Sequence, residues 1–202
     1  MIRTIFFDFG NVLAFFDHSR AIRQFVRFTD MDPVELGLQL YGGPLEDDYE
    51  IGRLTTAEYA REAILNGRLS CTAEQFLECF VDIFWANPEV SNLIPKLKPR
   101  YRLVLASNTN DAHFTRYTKQ FADVLGHFDY LVASHRVGAR KPHEEFFTAA
   151  KAHANAEPNE CAFVDDLPVN IEAANRAGFQ GIVYEPDDTL AVRLQKLGVI
   201  TG

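Results

Sequence analysis

The sequence predicts an α/β fold built on a parallel sheet, and three observations carry that expectation. Short β-branched and aromatic runs recur at 4–7 (TIFF), 102–106 (RLVLA), 130–133 (YLVA), 161–164 (CAFV) and 181–184 (GIVY). None alternates strictly between apolar and polar residues, which fits strands covered on both faces. Helical periodicity separates the later runs, and strand alternating with helix gives a parallel sheet with helices on both sides.

The first run ends at Asp8 and is bounded by Gly10 and Asn11, so it reads as a buried strand entering a turn. The next strand lies about 85 residues away, far beyond an ordinary crossover, and the spacing calls for an insertion. Within it Asp32-Pro33 reads as an N-cap and first-turn pair, Thr55 with Glu58 and Thr72 with Gln75 as capping boxes, and Gly67 as a stop. Phe76, Leu77, Phe80, Val81 and Phe84 are expected to form one apolar stripe on its last helix, the core of a small helical bundle. Beyond the second strand, helices are expected over 111–125, 143–154 and 169–177, the last opened by Pro168 and closed by Gly178. The expected division is a core domain of residues 1–15 and 91–202, with a helical cap of residues 16–90 inserted between the first and second core strands.

Composition narrows the function classes. With 202 residues, 47% of them hydrophobic, the chain can bury a substantial core. A formal charge of −8 gives no electrostatic reason to expect nucleic acid or an anionic membrane as partner. Cys71, Cys79 and Cys161 are odd in number and lack metal-ligand spacing, the pattern of free thiols in a reducing compartment. Asp8 interrupts what a signal peptide would continue, and no apolar run nears the ~18 residues of a membrane helix, so a cytoplasmic protein is expected, monomeric or homodimeric.

The chemistry-bearing residues gather at the carboxyl ends of the strands, where ligands bind in such sheets. Asp8 follows the first strand, Ser107-Asn108-Thr109-Asn110 the second, and Asp165-Asp166 the fourth, while Arg140-Lys141-Pro142 opens the helix after the third. Each alone suits a turn or a cap. Together they bring three carboxylates to one edge, and such a cluster calls for a cation. Hard oxygen donors suit Mg²⁺, which takes one or two carboxylates, keeps waters and completes its shell with phosphate oxygens. Lys141, the Ser107 hydroxyl and the Asn108 amide can bind those oxygens, and a carboxylate nucleophile can attack phosphorus.

On these residues the sequence resembles the haloacid dehalogenase superfamily, with DFGNV at 8–12, Ser107, Lys141 and Asp165-Asp166 as its four ordered motifs. The branch it is most similar to is that of sugar-phosphate phosphatases and the phosphatase domain of epoxide hydrolases, with Ser-Asn-Thr, Lys-Pro and an Asn at position 170. The resemblance implies a Rossmann-like core, a small phosphorylated substrate and Mg²⁺ as cofactor. It implies Asp8 as nucleophile and metal ligand, with Asp166, Asp165 and the Gly10 backbone carbonyl as further ligands. Ser107 and Asn108 would hold the phosphoryl group, Lys141 would neutralise it together with Asp8, and Asn170 would support the metal-binding loop.

One residue departs from that pattern. Most phosphatases of this superfamily carry an Asp two places after the nucleophile to protonate the leaving alcohol, and this chain has Gly10. Such an acid is typically worth about 10²–10⁴-fold in rate. Gly10→Asp is therefore expected to raise turnover on poor leaving groups, provided the added carboxylate fits. Asp17 and His18 are candidate replacements, although capping chemistry also accounts for them. Two other readings compete: a metal-free 2-haloacid dehalogenase using Asp8, and a non-catalytic binding module. The Asp165-Asp166 pair favours Mg²⁺ and phosphate over the first, and retention of all four motifs speaks against the second. Tyr41, Glu46, Asp47, Asp48, Tyr49 and Arg53 fall in a stretch read as a Gly- and Pro-rich loop, mostly solvated, from which the cap would choose its substrate.

Overall fold

A computed structural model describes residues 1–187 and 189–200. Strands β1 (Thr4–Phe7) and β2 (Ala14–Phe16) come first, followed by helices α1 (Ser19–Phe25), α2 (Pro33–Leu40), α3 (Pro44–Glu50), α4 (Thr56–Asn66) and α5 (Ala73–Phe80). Then follow β3 (Phe84–Ala86), α6 (Pro88–Leu97), β4 (Arg102–Ser107), α7 (Asp111–Gln120), α8 (Ala122–Leu125), β5 (Tyr130–Ala133) and α9 (Ser134–Val137). The chain ends with α10 (Glu144–Lys151), β6 (Cys161–Asp165), α11 (Pro168–Arg176), β7 (Gln180–Val183) and α12 (Leu190–Lys196).

Five strands form the parallel sheet in the order β5-β4-β1-β6-β7, which places β1 at its centre. All four of its residues are buried, Phe6 against one face and Ile5 and Phe7 against the other. That two-sided burial explains the unbroken apolar run TIFF. Phe6 packs with Phe163, Phe179 and the α10 and α11 side chains, while the opposite layer joins α6, α7 and α12 to the inserted helices. Strand order reverses at β1, so chain direction diverges on either side of it and leaves a crevice above its carboxyl end.

The insertion differs from expectation in one respect. It is framed by an antiparallel ribbon, β2 against β3, pairing Ala14 with Ala86, Phe15 with Trp85 and Phe16 with Phe84. Phe84 is thus a strand residue, and the apolar stripe read as one helix stops at Phe80, the last residue of α5. Helical spacing brought Phe84 onto that stripe by coincidence. Its ring instead packs edge-on against Phe9 and Tyr117 of the core. Both expected capping boxes are present at Thr55 and Thr72, and Asp32 caps α2 through the Val34 and Glu35 amides. The three cysteines are buried and free. No described helix is long and apolar enough to cross a membrane.

Contacts from α3, α5 and the turn after α3 help hold the inserted helices on the core. The Tyr49 hydroxyl accepts from the Ala112 amide at 3.0 Å and lies 2.8 Å from Thr56 Oγ1. His113 on α7 lies 3.1 Å from the Phe80 carbonyl through Nε2, while Nδ1 faces the Asn110 amide at 3.0 Å. Burial pulls the His113 imidazole down to about 3, so the ring is neutral, accepting at Nδ1 and donating at Nε2. Gly52, just past α3, has φ +74, and a Cβ there would stand 2.2 Å from the His135 carbonyl oxygen. Its missing side chain lets the insertion approach the core backbone, and its φ is one that L residues resist.

Gly52→Ala is therefore expected to cost about 2 kcal/mol or more, from the left-handed backbone together with the backbone clash. Gly37→Ala provides the contrast: Gly37 sits inside α2 with open space around it, and helix propensity favours alanine by up to ~1 kcal/mol. Urea unfolding of the two variants should move in opposite directions.

Candidate active site

The register of the sheet sets the site. Phe7 pairs with Val164 and Leu105, so the next residues out, Asp8, Asp165 and Ala106-Ser107, emerge side by side at the central crevice. Asp8 and Asp165 then flank one buried ammonium. Lys141 Nζ lies 2.9 Å from Asp8 Oδ1 and 2.6 Å from Asp165 Oδ2, and its side chain is fully buried. Burial by itself would lower this ammonium, but the carboxylates of Asp165 and Asp8 outweigh it and raise it above the ordinary lysine range. Lys141 is therefore charged at any physiological pH. Burial pushes the Asp8 carboxyl above its ordinary range, partly countered by Lys141 and reinforced by Asp165 and Asp166.

Two asparagines fix this arrangement. Asn108 clamps the Lys141 backbone, its Nδ2 donating to the Lys141 carbonyl at 2.9 Å and its Oδ1 accepting the Lys141 amide at 2.8 Å. One amide hydrogen of Asn108 is left for another partner. Asn170 Nδ2 donates to Asp165 Oδ1 at 2.9 Å, and the Leu167 amide donates to the same oxygen at 2.9 Å. Both Asp165 oxygens are thereby engaged, and the residue anchors Lys141. Asp166 stands differently: its Oδ2 accepts from Asn11 Nδ2 at 3.1 Å, and it is only partly buried. Burial raises its carboxyl, with the Asn11 hydrogen bond opposing. Asn11 has φ 54, a left-handed conformation that Asn tolerates better than most residues.

One oxygen from each of Asp8, Asp165 and Asp166 lies within 4.8 Å of the others. Against one ammonium, three carboxylates leave two negative charges in excess when ionised, and an all-oxygen donor set of that charge fits a hard divalent cation. Asp8 and Asp166 are the carboxylates that keep oxygens free of Lys141 and Asn170.

Two adjoining hollows lie over this edge and share Gly10, Phe16, Glu50, Asn108 and Arg140 in their walls. One, of about 230 Å³, reaches Asp8, Asn11, Lys141, Asp166 and Asn170. The other, of about 210 Å³, reaches Ser107, His18, Glu46, Phe84 and Tyr117. Asp8, Ser107, Asn108, Lys141, Asp165, Asp166 and Asn170 thus converge as the sequence indicates, whereas neither candidate acid stands ready to give a proton. Asp17 turns back to Ser19 and lies 3.7 Å from Arg23. His18 does face the second hollow but is stacked on Tyr41 and held down to about 4 by burial, hence neutral.

Two sequence expectations change here, and two wall residues join the site. The stretch read as a loop contains α3, and Tyr41 and Tyr49 are buried in it rather than solvated. The space beside Gly10 is taken, since a Cβ there would stand 2.9 Å from Phe16 Cε1. Glu50 and Arg140 also enter as wall residues of both hollows. Arg140 reaches across to α3, pairing with Asp47 and lying 3.2 Å from Glu50 Oε2. Burial pushes the Glu50 carboxyl up to about 7, with Arg140 opposing and Glu46 and Asp47 adding to the rise. The i, i+4 spacing of Glu46 and Glu50 was a signal for one shared helix face, legible only once α3 is known to be a helix.

In a doubly wound sheet the ligand site lies at the switch point, and there this chain presents a carboxylate, a buried ammonium and an acidic cluster. The family model described as haloacid dehalogenase-like hydrolase matches residues 2–178, and the chain belongs to that family of hydrolases. It is 27% identical to the D-ribitol-5-phosphate phosphatase of Bacteroides thetaiotaomicron, over 99% of this chain and 98% of that protein. It is also 27% identical to flavin mononucleotide hydrolase 1 of Arabidopsis thaliana, over 75% of this chain and 61% of that protein. A solved haloacid dehalogenase family enzyme from B. thetaiotaomicron, in complex with magnesium and inorganic phosphate, superposes with TM-score 0.79 at 25% identity, covering 93% of this chain and 96% of that one.

Removing the ammonium leaves Asp8 and Asp165 facing each other without compensation. Lys141→Met is expected to destabilise the metal-free protein by about 3–5 kcal/mol, the usual cost of breaking a buried pair from one side. Thermal melts should show part of that loss recovered by millimolar Mg²⁺, which binds only the folded state.

Proposed function

We propose that the chain is a Mg²⁺-dependent phosphatase of small phosphorylated metabolites that works through an aspartyl-phosphate on Asp8. The observation that carries this reading is the Lys141 ammonium, held at 2.9 Å from Asp8 and 2.6 Å from Asp165 with Asp166 alongside. Asp8 Oδ1 is turned to Lys141, and Oδ2 accepts no hydrogen bond among the described residues. That oxygen is the nucleophile. Asp8, Asp166 and the Gly10 carbonyl would hold the metal directly, with Asp165 supporting the site through Lys141 and the loop that Asn170 fixes. When bound there, Mg²⁺ supplies positive charge against the phosphoryl oxygens. Lys141 screens Asp8 from the incoming dianion, and the Ser107 hydroxyl and the remaining Asn108 hydrogen orient the phosphoryl group.

Residues 16–90 act as the cap that chooses the leaving group. Glu46 faces the hollow beyond the phosphate position and Arg140 there is already paired with Asp47 and Glu50, so further negative charge on the leaving group finds no unpaired cation in that wall among the described residues. Hollows of about 210 and 230 Å³ suit a small neutral polyol or sugar. The full-length similarity to a ribitol-phosphate phosphatase supports the same class of substrate.

Purified protein is expected to hydrolyse p-nitrophenyl phosphate with Mg²⁺, to stop with EDTA, and to lose about 10³-fold or more in Asp8→Asn. Halide release from a 2-haloacid by EDTA-treated enzyme would overturn the phosphatase reading. A panel of sugar and polyol monophosphates then ranks substrates by kcat/KM, with bisphosphates expected to be poor.

The occupied space beside Gly10 sets a further expectation. Gly10→Asp alone is expected to give no gain, because Phe16 must move to admit it. The double variant Gly10→Asp with Phe16→Ala should exceed the single variant on alkyl phosphates, compared at matched expression and fold.

A further inference from the structure

The reaction proposed above lacks one participant, the group that protonates the departing alkoxide. Gly10 offers no side chain, and the Phe16 ring fills the volume into which one would project. Asp17 is engaged with Ser19. His18, half-buried, and His113, buried, are both neutral and stacked on aromatic rings. The proton must come from another wall of the hollow.

We propose that Glu50, delivered by the last residue of α3, is the proton donor to the leaving group and the base for the attacking water, an inference that rests on the phosphatase reading. Glu50 lines the hollow that contains Asp8 and Lys141 as well as the one that contains Ser107, so it borders both the phosphoryl position and the space beyond it. Glu50 belongs to the insertion and Asp8 to the core, so the two border one hollow from different elements, and in-line displacement calls for a proton donor away from the nucleophile. Glu50 Oε2 is buried without a hydrogen bond, since Arg140 Nη2 at 3.2 Å is poorly aligned with it. Such an oxygen is available to a substrate hydroxyl.

The steps balance without any further reactant. As the Asp8 Oδ2–phosphorus bond forms, the bond from phosphorus to the ester oxygen breaks, and the Glu50 proton passes to that oxygen to release the alcohol. The Glu50 carboxylate then takes a proton from water while the water oxygen bonds to phosphorus. The Asp8–phosphorus bond breaks, inorganic phosphate leaves, and both side chains return to their starting forms.

The charged neighbours suit a group that carries its proton near neutrality. Glu46 and Asp47 on α3 raise the Glu50 carboxyl, Arg140 and Lys141 lower it, and burial dominates, bringing it to about 7. Because the protonated form is the active one in the first step, alkyl-ester turnover should fall as pH rises through that value.

The test measures kcat/KM for phosphate monoesters spanning p-nitrophenyl, phenyl and alkyl leaving groups. Wild type is expected to depend weakly on leaving-group pKa, and Glu50→Gln steeply, with the alkyl esters losing about 10²-fold or more relative to p-nitrophenyl phosphate. The alkaline limb of the alkyl-ester pH profile should vanish in the variant. An equal loss across leaving groups in Glu50→Gln overturns the proposal and makes Glu50 a partner of Arg140 only. A steep dependence already present in wild type overturns it whether or not the variant folds. Absence of Asp8-dependent hydrolysis of every ester instead removes the phosphatase reading itself.

Discussion

The ammonium of Lys141, buried between Asp8 and Asp165, is the interaction on which the rest of the structure depends. A charge removed from water is tolerated only when it is paired and hydrogen-bonded. Each surrounding element meets part of that requirement. Pairing β1 with β6 sets the two carboxylates side by side, Asn108 beyond β4 grips the Lys141 backbone, and Asn170 on α11 fixes the far oxygen of Asp165. The cluster joins the ends of three adjacent strands, so a shift of register in any of them separates its members. It also carries more negative than positive charge once Asp166 is counted, which makes the site anionic before any substrate enters. A phosphate ester can approach such a place only with added positive charge, and the hard oxygen donors select what that charge is.

Where local chemistry settles structure, the sequence was readable. The five core strands, the two capping boxes and the Asp32 cap depend on neighbours within a few residues, and all occur where expected within a residue or two at their ends. The site residues were legible for a related reason: a polar residue that ends a fully apolar run must emerge at the strand's mouth. The ribbon of β2 and β3 was not legible. Its strands are three residues each, lie about 70 residues apart in sequence, and pair only because the inserted helices return the chain to its starting point. Phe84 kept helical spacing with Phe80, and nothing local could separate the two readings.

α3 shows the same limit at the level of function. Gly42, Gly43 and Pro44 look like a loop, and Gly43-Pro44 instead starts a helix, with proline in the first turn where its missing amide costs nothing. Of the acids read as solvated, Glu46 turns with Glu50 toward the hollow, while Asp47 stays exposed and Asp48 pairs with Arg53 at the surface. Tyr49 on the same helix donates nothing to solvent; its hydroxyl joins Thr56 to the α7 backbone, and its ring stacks on Tyr59 at 4.4 Å. Burial of these tyrosines is a tertiary outcome, invisible to composition.

Gly10 and Phe16 together explain why the site is divided between core and insertion. The turn after the nucleophile is closed by the Leu13 and Ala14 amides, both donating to the Phe9 carbonyl at 2.9 Å, and the glycine in it leaves room for the Phe16 ring. The ribbon that starts at Ala14 then brings Phe16 back over Gly10, where its ring forms part of the wall of the hollow that reaches Asp8. That ring and an acid at position 10 compete for the same volume. This chain keeps the ring. The carboxyl groups that face the hollow consequently stand on α3, held over the crevice by Arg140 and by the close approach of Gly52 to the His135 backbone. The Lys141 cluster takes its partners from β1, β6, Asn108 and Asn170 and the acidic wall stands on α3, so the charge centre and its outer wall rest on different elements of one site.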